Sequence, residues 1–272
     1  MNDVLRKKSV PELEMIQNLA FSSFGLDLRS GKEELITARI SKVMRKQNIS
    51  TVREYYNYLM ADGSGAALTE MIDALTTNYT SFFREDAHFK LLRKEILSAA
   101  GMKNIRIWSA GCSTGEEPYS IAFCAHDAGR TPTSTEVVAT DISMRVLRKA
   151  GAAIYKDSEL KGIPVEDRRR YFLAGVKTNE GWFKVKSEIR RFVQFSPQNL
   201  IQPLEVKGSF DVIFCRNVMI YFNNETRQEV VRRIERKINP GGYLLIGHSE
   251  TLNGVKHSLR YISPSVYRSS AS

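Results

Sequence analysis

Two periodicities of apolar residues divide this chain. Up to about residue 98 the apolar positions recur at helical spacing, and no stretch alternates as a strand does. "SVPELEMIQNLAFSSFG" offers Ser9 as an N-cap, Pro11 in the first turn and Gly25 as a stop. In "KEELITARISKVMRKQN" Ile36, Ile40, Val43 and Met44 share one face, which predicts an amphipathic helix. "TVREYYNYLMADG" and "GAALTEMIDALTTN" predict two shorter helices, and "REDAHFKLLRKEILSAAG" a further one ended by Gly101.

From Asn104 short apolar runs alternate with helical segments. "IRIWSA", "EVVATDI", "FDVIFCRN" and "GYLLIG" read as strands. "EEPYSIAFCAHDAG", "SMRVLRKAG" and "NNETRQEVVRRIERKI" read as helices, the last stopped by Pro240, and "LRYISPSVYRS" as a final strand or hairpin at the sheet edge. Such alternation predicts an α/β domain with a doubly wound, mostly parallel sheet. The rhythm fails between Lys156 and Asn199. There "RRRYFLAG" and "GWFKVKSEIRRFVQF" read as short antiparallel strands, since a plain loop would expose Phe172, Trp182, Phe183, Val185, Phe192 and Val193. The expected organisation is an all-helical domain over 1–90 and an α/β domain over 91–272, with a β insertion at about 156–198.

Composition narrows the class. With 272 residues, 42% hydrophobic and 26% charged, the chain is ordinary globular material. No apolar run approaches the roughly 20 residues that span a bilayer, and "MNDVLRKKSVPELEM" lacks the apolar core of a signal peptide. A cytoplasmic protein without membrane insertion is expected. Cys112, Cys124 and Cys215 form no CxxC pair, so reduced thiols are expected. The four histidines show no ligand spacing among themselves, so no metal is expected. A net charge of +10 calls for an anionic partner, either nucleic acid or an acidic protein surface.

The chemistry lies at the predicted strand ends. The first strand runs into "SAGCSTGEE", which is not GxGxxG, and a pyrophosphate at that helix start would face Glu116 and Glu117. S-adenosylmethionine suits the loop better, being cationic and free of phosphate. Asp141, at the end of "ATDI", is placed to accept hydrogen bonds from a ribose diol. The spacing therefore reads as a class I S-adenosylmethionine-dependent methyltransferase domain.

"NYTSFFRE", "IWSAGCSTGEEPYSIA", "ATDIS", "FCRNVMIYF" and "GGYLLIGHSE" occur in that order from Asn78 to Glu250. Together they resemble the chemotaxis receptor methyltransferase (CheR) family over essentially the whole chain. The resemblance implies methyl transfer from S-adenosylmethionine to glutamates on chemoreceptor cytoplasmic helices, forming glutamyl methyl esters and S-adenosylhomocysteine. It implies cofactor contacts at Asn78, Thr80, Arg84, Ala110, Glu116, Asp141, Asn199, Leu200, Arg216 and Asn217. Arg84 either pairs with the cofactor carboxylate or steers the acceptor glutamate, and Tyr221 stands close to the reacting methyl. A glutamate acceptor is already ionised at neutral pH, so no general base is required.

The resemblance also bears on the charge. Lys32, Arg39, Lys42, Arg45 and Lys46 fall within roughly 140° of helix surface, and no acid lies between Glu34 and Glu54. Family members use such residues to dock on acidic receptor helices, which accounts for the charge without nucleic acid. In some members the β insertion also binds a receptor C-terminal tether. A monomer recruited to membrane receptor arrays is expected.

Overall fold

The computed structural model describes residues 10–28, 33–76, 79–98 and 104–271. The chain divides into two compact units, Met1–Asn78 with Tyr221–Thr226, and Tyr79–Ile220 with Arg227–Ser272.

The first unit is built from α1 (Val10–Phe24), α2 (Glu33–Lys46), α3 (Val52–Ala61) and α4 (Ala66–Leu75). The apolar face expected on α2 is the buried one: Ile36, Ile40, Val43 and Met44. α1 gives way to Gly25 at a φ of 72°, a turn that a side chain would strain. The expected cap at Ser9 lies outside the described residues. α3 starts on a capping box in which Thr51 and Glu54 satisfy each other's backbone N–H groups. Within this unit Leu26 bridges Phe222, and the Asp27 N–H donates to the Tyr221 carbonyl at 2.7 Å.

The second unit starts with α5 (Asp86–Leu91), which continues into a π-helical turn over Leu92–Leu97. Its main sheet contains β1 (Ile105–Ala110), β2 (Thr135–Asp141), β6 (Val193–Pro197), β7 (Phe210–Cys215), β8 (Ile238–Ile246), β9 (Arg260–Ser263) and β10 (Val266–Arg268). The spatial order is β6-β2-β1-β7-β8-β10-β9. The first five run parallel, and β10 is antiparallel between β8 and β9. The helices among them are α6 (Glu116–Asp127), α7 (Met144–Ala152), α8 (Val165–Tyr171), α9 (Ser187–Arg190) and α10 (Asn224–Glu235). A second sheet, ordered β3-β5-β4, joins β3 (Ile154–Lys156), β5 (Trp182–Val185) and β4 (Phe172–Ala174) antiparallel. The predicted doubly wound sheet with a small antiparallel companion is what forms.

Three details differ from the sequence reading. The segment over Tyr79–Ser98 clusters with the α/β unit, because Phe82, Phe89, Leu92 and Ile96 are buried in its core, Phe82 against Phe123, Tyr155 and Phe172. Helical periodicity marks a buried face without saying which core receives it. Val193–Pro197, read as part of the β insertion, pairs parallel with β2, from Val137 opposite Val193 to Asp141 opposite Pro197. As an edge strand it is half-exposed and carries the same alternation as a hairpin strand. Lastly, α10 ends at Glu235, and Pro240 lies inside β8.

Candidate functional site

In an open α/β sheet a crevice forms at the carboxyl ends of the strands where the order reverses. Here that point lies between β1 and β7, since the chain leaves β1 toward β2 on one side and returns to β7 on the other. The loop Ala110–Gly115 turns over this end. The Gly111 and Cys112 N–H groups both donate to the Thr140 carbonyl at 2.8 Å. Gly111, Ser113 and Gly115 have φ of 86°, 49° and 99°, all left-handed. A Cβ on Gly111 would meet Val218 Cγ2 at 2.4 Å, and one on Gly115 would meet Tyr155 Oη at 2.8 Å and Ala150 Cβ at 2.9 Å. Gly111 thus admits the Val218 side chain.

Asp141 stands at the end of β2 beside this loop. Its Oδ2 accepts the Ser113 N–H at 2.9 Å and its Oδ1 the Ser143 N–H at 3.0 Å. A carboxylate at a strand end is an acceptor group that suits a diol. The Asp141 carbonyl accepts the Gln198 N–H at 3.0 Å, bringing the turn after β6 to the same edge. In that turn Leu200 is buried and Asn199 Oδ1 accepts the Ile201 N–H at 3.2 Å. Ala110, Asp141, Asn199 and Leu200, expected together from the sequence, belong to adjacent strand ends.

The two adjacent glutamates opening α6 diverge. Glu116 is buried, takes a hydrogen bond from the Thr114 hydroxyl at 2.7 Å and feels the positive charge of Lys149. Glu117 accepts from the Ser109 hydroxyl at 2.7 Å and lies 3.3 Å from Arg216 Nη1. Burial pushes both carboxyls above the ordinary range, against these partners.

Arg216, expected as a cofactor contact, has a side chain 1% exposed. Its Nε and Nη2 reach Glu85 Oε2 at 3.2 and 3.1 Å, Nη2 also donates to the Arg84 carbonyl, and the guanidinium stacks on Phe89 and Phe214. The side chain thus links β7 to the segment before α5 and to Glu117. Burial opposes ionisation of Glu85, but Arg216 and the His248 N–H hold its carboxyl below the usual range. That segment is bent, with Phe83 and Glu85 both at positive φ, and Phe83 donates its N–H to the Ser120 hydroxyl at 2.9 Å. Thr80 is half-buried, and the Arg84 guanidinium bonds the Tyr79 carbonyl at 2.8 Å.

One residue of this region was quoted in a motif but given no role by the sequence reading. The Glu250 carboxylate accepts the N–H groups of Gly247 at 2.6 Å, Asn217 at 2.8 Å and Ile220 at 3.2 Å. It holds the loop after β7, where Asn217 is left-handed at a φ of 59°. A carboxylate two residues after "GH", facing a strand-end loop, was the available signal.

The remaining expected residues belong to the first unit or lie outside the described residues. Asn78 and Lys32 lie outside the described residues. Half-buried Tyr221 ends a short turn, Met219–Tyr221, and belongs to the first unit. On α2, Lys42 and Arg45 are exposed, Lys46 pairs with Glu70 at 2.6 Å, and Arg39 donates to the Leu75 carbonyl at the end of α4. Cys112, Cys124 and Cys215 are free and buried, as expected. Among the described residues no helix is long and apolar enough to cross a membrane.

The strand-end edge thus gathers Glu116, Glu117 and Asp141, and the buried cation beside them, Arg216, is already paired with two carboxylates. A pyrophosphate would find repulsion there; a cationic nucleoside without phosphate fits.

Comparison with known proteins agrees with this geometry. The model of the CheR methyltransferase all-alpha domain matches residues 11–76, and that of the CheR methyltransferase SAM binding domain matches residues 78–268. A chemotaxis protein methyltransferase of Escherichia coli is 38% identical over 254 residues, covering 93% of this chain and 88% of its own. One of Borreliella burgdorferi is 36% identical, with coverages of 94% and 93%. One of Salmonella typhimurium is 38% identical, with coverages of 93% and 88%.

Proposed function

The chain belongs to the CheR family of S-adenosylmethionine-dependent methyltransferases, and from that premise we propose that it methylates glutamate side chains on the cytoplasmic helices of chemoreceptors. The product would be a glutamyl methyl ester, made in the cytoplasm at receptor arrays for sensory adaptation. The observation that carries the reading is the strand-end edge itself, where carboxylates and backbone turns stand at a switch point. S-adenosylmethionine, when bound, supplies an electrophilic methyl group with a sulfonium leaving group.

Every other part of the mechanism falls to the chain. Asp141 would hold the ribose hydroxyls, with Asn199 and Leu200 beside the base and Ala110 flooring the loop. Glu116 would balance the cofactor's positive charge, and Thr80 and Asn78 would reach in from the preceding segment. Arg216 and Asn217 would act mainly as positioning residues, the first through Glu85 and Glu117, the second through its backbone. Arg84 would orient a carboxylate, of the cofactor or of the acceptor, and Tyr221 would pack against the reacting centre. The acceptor carboxylate is its own nucleophile, so catalysis here is positioning and water exclusion rather than proton transfer.

Docking would fall to α2, where Lys42 and Arg45 are exposed and so open to a glutamate-rich surface. The small sheet would take a receptor tether along β4, an edge strand on which Leu173 is 57% exposed. The enzyme would act as a monomer. Incubation with tritiated S-adenosylmethionine and a receptor cytoplasmic fragment should label the fragment, and mild base should release the label as methanol. Label on RNA, or on no acceptor at all, would overturn the proposal.

A further inference from the structure

Glu85, the left-handed residue just before α5, and His88 in the first turn of α5 bring their side chains together. The loop after β8 brings His248 to the same place. Glu85 Oε2 lies 3.7 Å from His88 Nδ1 and 3.9 Å from His248 Nε2. One donor atom from each of the three lies within 4.8 Å of the others. The two rings meet edge-on, with centroids 5.1 Å apart. His88 is 1% exposed, and neither of its ring nitrogens has a hydrogen-bond partner. A buried imidazole with both nitrogens unsatisfied is a rare arrangement that calls for a missing partner.

We propose that Glu85, His88 and His248 bind one divalent transition-metal ion of the zinc class. Two imidazoles and one carboxylate with an open fourth position are a donor set that such ions take. Bond lengths of about 2.1 Å put tetrahedral donors roughly 3.4 Å apart. The two Glu85 contacts therefore need to contract by only about 0.5 Å or less. The donor atoms of the two histidines lie within 4.8 Å, a gap that a rotation of His248, 51% exposed, would close. Burial, helped by Arg216, holds the His88 pKa down at about 4, so its lone pair is available at neutral pH.

Arg216 shares Glu85 Oε2 and is the obvious competitor for it. Glu117 offers the guanidinium a second carboxylate at 3.3 Å, so Arg216 keeps a partner if Glu85 turns to a metal ion. A metal ion at Oε2 would displace one of the two Arg216 N–H groups, Nε or Nη2, that reach it. Binding would pin the start of α5 to the loop after β8. The inference does not depend on what the methyl acceptor is.

Titration of the metal-stripped full chain with Co2+ should develop visible d–d absorption that saturates at one equivalent and is displaced by Zn2+. Calorimetry with Zn2+ should give the same stoichiometry. His248→Ala removes an exposed donor without disturbing the core, and should weaken Zn2+ binding at least tenfold with an unchanged circular dichroism spectrum. His88→Gln should do the same and abolish the cobalt spectrum. No saturable binding by the parent chain, or binding that survives His248→Ala within twofold, would overturn the proposal, the second by showing that Zn2+ sits elsewhere.

Discussion

A carboxylate that gathers backbone amides sets a loop's path through directed bonds, which packing alone does not supply. Glu250 does so for the Asn217 and Ile220 amides on one side and Gly247 on the other. In Glu250→Gln one oxygen becomes an amino group that faces N–H donors, so a buried amide loses its acceptor at a cost of about 1–3 kcal/mol. Steady-state methylation by this variant should show a lower kcat with cofactor affinity changed less than threefold. Asp141 acts on the cofactor directly in the proposed reading. Asp141→Asn keeps the shape and removes the charge, and calorimetry should find S-adenosylhomocysteine bound about tenfold or more weakly, the worth of a charge-assisted hydrogen bond. Gly111→Ala tests the loop. It combines a left-handed φ, which costs roughly 1–2 kcal/mol for a residue with a Cβ, with a collision against Val218. Thermal unfolding should show the loss, and adding Val218→Ala should restore the part due to the collision while leaving the part due to φ.

At the scale of elements, periodicity was enough wherever one face meets one core. α2 buried the four residues that its spacing marked, and β1, β2 and β7 formed where short apolar runs ended in turns. The edge strand β6 was not legible, because half-exposed alternation fits a parallel edge and a hairpin equally well. The place of Asp141 at the end of β2 could be read from the apolar run before it. The burial of Arg216 could not, since its partner Glu85 is 131 residues away in sequence. The cluster of Glu85, His88 and His248 was hidden for a similar reason: spacing among histidines alone omits a glutamate donor and a distant strand end. Arg216→Met tests how far β7 and the α5 segment depend on one ion pair. Removing one partner of a buried pair leaves an uncompensated charge worth about 3–5 kcal/mol, so denaturant midpoints should fall markedly, and adding Glu85→Gln should recover part of the loss. On α2, Arg39 also binds the Leu75 carbonyl, so reversing it would disturb α4 as well. Lys42→Glu with Arg45→Glu is the cleaner change. It should raise the receptor KM at least tenfold while calorimetric cofactor affinity stays the same.

For the whole molecule, the net charge of +10 is the long-range property. If it steers encounter with acidic receptor helices, kcat/KM for receptor should fall steeply as ionic strength rises past the point where the Debye length is about 10 Å, near 0.1 M. Cofactor binding in the same buffers should barely respond. A different whole-chain consequence follows from the order of strands in the main sheet. β10, at residues 266–268, lies between β8 and β9, both of which precede it in the sequence. During synthesis β8 therefore waits with an unpaired edge at least until the nineteen residues that separate it from β10, and β10 itself, have been made. Until then the sheet presents an open row of amides to any neighbouring nascent chain.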